Sequence, residues 1–153
     1  SVSIDINGYI DAVNLAIKNA VAVEGLVEFG QTSTVTASMD ADKPVEINTV
    51  VVATGVDKDG KVVYSHIDQM QQKATITAGK VVADANTKTK GQLGKDYGMN
   101  WDEQVAAMAK HIIGKTSSEI DKLGADVVSS VSITADEIEK TVKKVFTVLK
   151  KVA

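Results

Sequence analysis

The sequence predicts an α+β fold, with an antiparallel sheet and helices packed on one side or end of it. Three observations carry that prediction. Alternating, β-branched runs fill the first half of the chain, amphipathic helical periodicity dominates the second, and no strand–helix–strand alternation links the two. The 153 residues are one domain's worth, and a chain of that size buries roughly 70% of the surface its unfolded form exposes.

Ser1–Ile6 alternates and reads as a short strand, broken at Asn7-Gly8, where Asn7 is a candidate helix cap. Tyr9, Ile10, Val13, Ala16, Ile17, Ala20 and Val21 then recur at helical spacing until Gly25. Leu26–Met39 is rich in Thr and Val and reads as a strand. Asp40–Pro44 is a polar loop with the only proline, and Val45–Val56 is a β-branched central strand. Asp57-Lys58-Asp59-Gly60 is a hairpin turn, Lys61–Met70 its returning strand, and Ala78-Gly79 splits a second hairpin formed by 74–77 and 80–83. Thr87–Met99 is polar and glycine-punctuated, a loop or short helix. Asn100 is a plausible cap for a helix over Trp101–Ile113, whose apolar stripe is Trp101, Val105, Met108 and Ile112 and which Gly114 stops. Thr116-Ser117-Ser118-Glu119 is a capping box opening a short helix to Leu123. Asp126–Ile133 reads as a strand. From Asp136 a last helix turns Ile138, Val142, Val145, Phe146 and Leu149 inward, with Lys143, Lys144, Lys150 and Lys151 toward its C-terminal end, where cations suit the macrodipole.

Composition excludes several classes. At 44% hydrophobic and 24% charged residues, disorder is excluded as the main state. No apolar run approaches the ~20 residues of a membrane-spanning helix. A net charge of −3, with every basic residue a Lys, argues against nucleic acid as a partner. The lack of Cys removes disulfides, thiolate metal sites and a Cys nucleophile. The chain opens without Met or a signal-peptide pattern, so a trimmed chain is expected, either a mature secreted protein or a piece of a longer one.

Ser130-Val131-Ser132-Ile133 repeats Ser1-Val2-Ser3-Ile4 at an offset of 129 residues. Behind each copy the helical phase agrees: Tyr9 meets Ile138, Val13 meets Val142, Ala16 meets Val145 and Ile17 meets Phe146. Strand–cap–helix is a common unit, but the shared phase also fits a tandem repeat. The expected organisation is a strand–helix segment over 1–22, on the repeat reading the tail of a preceding copy, and one α+β domain over 23–153.

Several stretches together resemble a known family: Val56–Val63, Thr87-Lys88 with Gln92–Met99, Trp101-Asp102-Glu103-Gln104, Ile113–Thr116, and Asp126–Ile133 with the final helix. The most specific is Leu93-Gly94-Lys95-Asp96-Tyr97-Gly98-Met99 followed by Trp101-Asp102-Glu103-Gln104. In this order they are similar to the FMN-binding-domain-like extracellular proteins of Gram-positive bacteria, many of them lipoproteins and some carrying tandem copies. The resemblance covers about two-thirds of the chain and implies an extracellular or cell-surface location, with membrane attachment only through a lipid anchor outside these residues. Flavin-carrying members attach FMN by a phosphoester to the Thr of a Ser-Gly-Ala-Thr type motif. The matching stretch here is Ser129-Ser130-Val131-Ser132, so Ser132 stands where the acceptor would be. Ser130 and Val131 replace the small residues of that motif and favour extended backbone. The expectation is therefore a continuous strand through Ser132 and no covalently held FMN. Lys88, Gly94, Tyr97, Gly98, Met99 and Trp101 complete the cofactor-binding candidates the resemblance implies.

Read for their own chemistry, these residues allow plainer roles. Asp57–Gly60 is too short for a twelve-residue calcium loop and reads as a turn. Tyr64, His66 and Asp68 share one strand face, which reads as polar and solvent-facing rather than as a proton relay or metal half-site. His111, near a helix C-terminus, reads as a charged group favoured by the dipole. Ser129, Ser130, Ser132 and Thr134 lack a nucleophile elbow. Gly91, Gly94 and Gly98, after Lys88 and Lys90, could form a phosphate nest. Trp101 is either the first core anchor of its helix or, exposed with Tyr97 and Met99, a stacking surface. The function expected is non-catalytic binding of a small molecule or surface partner. The alternatives are a flavin-carrying extracellular electron-transfer domain and a purely structural repeat of a long surface protein.

Overall fold

The computed structural model describes residues 5–39, 44–83 and 88–152. Its architecture is α+β, a five-stranded antiparallel sheet with helices packed against it, as the sequence predicts. The elements are α1 (Asn7–Lys18), β1 (Glu28–Ser38), β2 (Val45–Val56), β3 (Val62–Thr77), β4 (Lys80–Ala83), α2 (Lys90–Leu93), α3 (Trp101–Ile112), α4 (Asp136–Val145) and β5 (Lys150–Lys151). Short 3-10 turns cover Gly94–Asp96 and Ser117–Glu119. Strand order is β4-β3-β2-β1-β5, so the first four strands form a meander and only β5 arrives from far along the chain.

Alternation along β2 decides which face the helices cover. Val50, Val52, Thr54 and Val56 are buried, and their pairing with Gln69, Ile67, Ser65 and Val62 of β3 carries the same face across the sheet. Trp101, Val105, Met108 and Ile112 of α3 and Ile138, Val142 and Val145 of α4 close over it, and Leu123, Val128 and Val131 complete the core. Both hairpin turns follow from their residues. Asp57 Oδ1 accepts from the backbone N–H of Asp59 and Lys61, at 2.9 Å each, and Gly60 takes φ +74°. Ala78 and Gly79 both have positive φ, which suits the two-residue turn joining β3 to β4.

Several expectations need correction. Ser1–Ile4 of the expected first strand lie outside the described residues, and Asp5-Ile6 are not strand. Asn7 is the first residue of α1 rather than its cap. The N-cap is Ile6, and Asp5 Oδ1 accepts the Asn7 N–H. Asn100 does not cap α3 with its side chain; it sits in the left-handed region at φ 49°. The expected helix to Leu123 stops after one 3-10 turn, where the Thr116 N–H and Oγ1 both donate to Glu119 Oε2. Asp126–Ile133 is not a strand: Gly124 O accepts from Val127 and Val128 and Val128 O from Val131, giving successive turns that bury Val128 and Val131 three residues apart. Among the described residues the echo at 130–133 is therefore turn, not strand. The last helix ends at Val145. Lys150 and Lys151 instead pair with Phe29 and Glu28 at the sheet edge, where lysines discourage further strand pairing.

Candidate functional site

A cavity of about 720 Å³ opens beside β3. Its strand wall is six consecutive residues, Val63 to Asp68, so it runs along the edge of β3 rather than across one face. The facing wall is α3, through Trp101, Asp102, Val105, Ala106, Ala109 and Lys110, and Leu15 of α1 and Asn19 just past its end stand at its rim. Sequence builds this cleft in two ways. β3 is sixteen residues long and β4 only four, pairing with Ala74–Thr77 alone, so most of the outer edge of β3 has no neighbouring strand. Small Ala106 and Ala109 then keep α3 from filling the gap.

Two buried oxygens on the wall of this cleft, Ser65 Oγ and Asp102 Oδ1, have no hydrogen-bond partner among the described residues. A buried polar atom without a partner costs about 1–3 kcal/mol, and Thr34 Oγ1, Thr54 Oγ1 and Glu137 Oε2 share that state away from the cleft.

The glycine-punctuated loop closes one end. Thr89 and Gln92 form a capping box: the Gln92 N–H donates to Thr89 Oγ1 at 3.1 Å and the Thr89 N–H to Gln92 Oε1 at 2.9 Å. That turn delivers the Gly91 N–H to Asp68 Oδ1 at 3.0 Å. A Cβ on Gly91 would lie 3.0 Å from the same oxygen, so a side chain there would press the carboxylate aside. The anion meeting this loop is thus one of the protein's own. Lys90 is buried, its ammonium 4.5 Å from the Tyr97 ring centroid and 5.5 Å from that of Trp101.

Of the candidates from the sequence, Trp101 is 3% exposed and is a core anchor, with one side on the cleft. Tyr97 meets it edge-on at 6.5 Å. Gly94 and Gly98 take positive φ, Met99 is 67% exposed, and Lys88 is exposed just ahead of α2. Ser132 is exposed in the turn segment, not paired in a ladder as expected. One buried side chain joins the distant candidates. Gln104 Oε1 accepts from the Ser132 and Ile133 N–H groups at 2.7 and 3.1 Å, while its Nε2 donates to Met99 O at 2.7 Å. The structure therefore brings Ser132 and the Met99 loop together. It does not bring them into the cleft, whose wall includes Trp101 but neither Ser132 nor Met99.

Tyr64 and His66 lie by register on the face away from α3 and α4, and His66 is exposed, whereas Asp68, expected on the same solvent-facing side, is half-buried and turns at the strand edge to meet α2. His111 departs from its expected state. It is partly buried and receives Lys115 Nζ at 2.6 Å, and burial and that cation hold its pKa below the ordinary value, favouring the neutral ring.

Ser65, Asp102 and Gln104 emerge as site residues only from the fold, and Asp68, read from the sequence as part of a solvent-facing polar strand face, lines the cleft instead.

No family model matches the chain, and neither a curated protein nor a solved structure matches it.

Proposed function

We propose that this chain is a non-catalytic binding module whose ligand occupies the cleft between β3 and α3. The observation that carries this reading is the cleft itself, a largely apolar cavity of about 720 Å³ with Ser65, Asp68, Asp102 and Lys110 among its lining residues. The resemblance of Leu93–Met99 and Trp101–Gln104 to FMN-binding-like surface proteins supports a secreted or cell-surface setting. NMR titration with a small-molecule fragment library tests the site. Hits should shift the amides of Ser65, Ile67, Asp102 and Ala106 and should weaken in Ala106→Phe, which fills the cleft. Hits that cluster elsewhere would overturn the reading.

A flavin-carrying role is the second reading. What favours it is the exposed, turn-borne Ser132, whose position removes the backbone argument against an acceptor there. Incubation with FAD and a flavin transferase, followed by intact mass, tests it: an FMN-sized adduct lost in Ser132→Ala supports the carrier, and an unchanged mass removes it.

A further inference from the structure

We propose that the ligand of this cleft is an extended polypeptide that adds to the free edge of β3 as an antiparallel strand, entering with a cationic residue at the Asp68–Asp102 end and leaving with an anionic one at Lys110. The proposal rests on the cleft being the binding site and names the class of its occupant.

The backbone parity of β3 is fixed at its far end. Thr77 and Lys80 close a two-residue hairpin and so exchange both backbone hydrogen bonds, which turns the odd-numbered residues of β3 toward the outer edge. The Gln69 N–H conforms: it points outward and meets Asp68 Oδ1 at 2.8 Å. A register shift at Gly55/Val56 changes the parity before Val62, whose N–H and C=O also point outward, to Lys115 O at 2.9 Å and from Gly114 N at 2.8 Å. Between these two closures lie Ser65 and Ile67. Among the described residues their outward N–H and C=O groups have no backbone partner.

Another extended backbone presents donors and acceptors at the spacing of this edge. The open stretch is short, stopped by Lys115 at one end and by Asp68 with Gly91 at the other. At about 3.3 Å per residue it takes a strand of about five residues. Ala106 and Ala109 leave room for side chains on the helix side, and Val105 and Trp101 supply apolar contact.

Charge sets which end of the site receives a cation. The Gly114–Val62 hydrogen bond places the C-terminal end of α3 at the start of β3, so Asp102 lies toward Asp68 and Lys110 toward Val63. An antiparallel guest runs from the first pair to the second. A Lys or amino terminus at its beginning meets two carboxylates, and a carboxylate at its end meets Lys110.

The test uses two end-capped synthetic peptides, Lys-Val-Thr-Val-Glu and its charge-reversed form Glu-Val-Thr-Val-Lys, titrated into the whole protein by calorimetry and NMR. The first should bind at least about tenfold more tightly than the second, protect the Ser65 and Ile67 amides from hydrogen exchange, and lose affinity when its alternate amides are N-methylated. Ser65→Pro removes one outward N–H at an edge position where proline is tolerated, so the fold should persist by circular dichroism while binding is lost. Asp102→Asn should reduce the preference between the two peptides. Equal affinities, or binding insensitive to N-methylation, would overturn strand addition. Self-association of the protein through the same amides would assign the edge to a second copy instead. Fragments that bind the cleft when neither peptide does would leave the binding site standing and remove only its peptide occupant; failure of both would remove the two readings together.

Discussion

α1 and α4 have the same apolar phase in the sequence and opposite fates in the structure. Ile138, Val142 and Val145 of α4 are at most 3% exposed, whereas their counterparts Tyr9 and Val13 on α1 are 71% and 58% exposed, and α1 buries no residue at all. Both helices lack a side-chain N-cap, so capping does not separate them. What differs is the surface each can reach. α4 is tied to the core by the Leu123 N–H, which donates to Glu139 Oε1 at 2.7 Å, and by Leu149, which follows it and covers Gly30 of β1. α1 has only Leu15 and, just past its end, Asn19 at the rim of the cleft. Amphipathic periodicity encodes a helix that could be buried; the partner surface decides whether it is.

The widest separation should come from matched truncations. Ile138→Ala should lower stability by about 2–5 kcal/mol through its cavity, while Tyr9→Ala should stay within about 0.5 kcal/mol. Urea midpoints check both, and equal losses would erase the distinction. Overpacking the attachment of α4 comes next. A Cβ on Gly30 would lie 3.1 Å from Leu149 Cδ2 and 3.2 Å from its backbone N, so Gly30→Ala should cost about 1–3 kcal/mol. A cap supplied to α1 should act locally: Ile6→Ser should raise its helicity, worth about 1 kcal/mol of helix stability, in NMR secondary shifts without moving the global midpoint.

The smallest effect is pH-dependent and belongs to the packed side alone. His111 holds its pKa below the ordinary 6.5, so below that pH the unfolded chain binds a proton that the folded one does not. Stability should therefore fall as pH drops below about 6.5 and level off once His111 protonates in the folded state as well. Depressed carboxylates add a second loss below about 4.5, with Glu119 held down by the Thr116 N–H and hydroxyl, and Asp57 by the Lys61 and Asp59 N–H groups. Lys115→Met should weaken the upper limb, and α1 variants should leave it unchanged; thermal melts across the range decide.

Much of the sheet is legible from local pattern. β2 spans the expected Val45–Val56, and both turns lie where their Asp, Ala and Gly residues predict. β3 runs unbroken through Gln71, Gln72 and Lys73, joining the strands expected to Met70 and over 74–77 into one, because that polar triplet looks like a strand end. Val127–Ile133 misleads for a different reason. Its β-branched residues suit a ladder, but Gln104 Oε1 captures the Ser132 and Ile133 N–H groups and the hydrophobic side chains enter the core from turns. The cleft itself was not legible, because it depends on what β4 leaves unpaired.

The meander has a consequence for the order in which the protein is made. β1 to β4 are each paired with a neighbour close in the chain, so they can zip together as soon as they leave the ribosome. Val50, Val52 and Ile67 then present a bare apolar layer until α3 and α4 emerge to cover it. Over that interval the nascent chain exposes an apolar layer open to non-native association. A chain halted after β4 should bind a hydrophobic dye strongly, and one released after α4 should bind it far less.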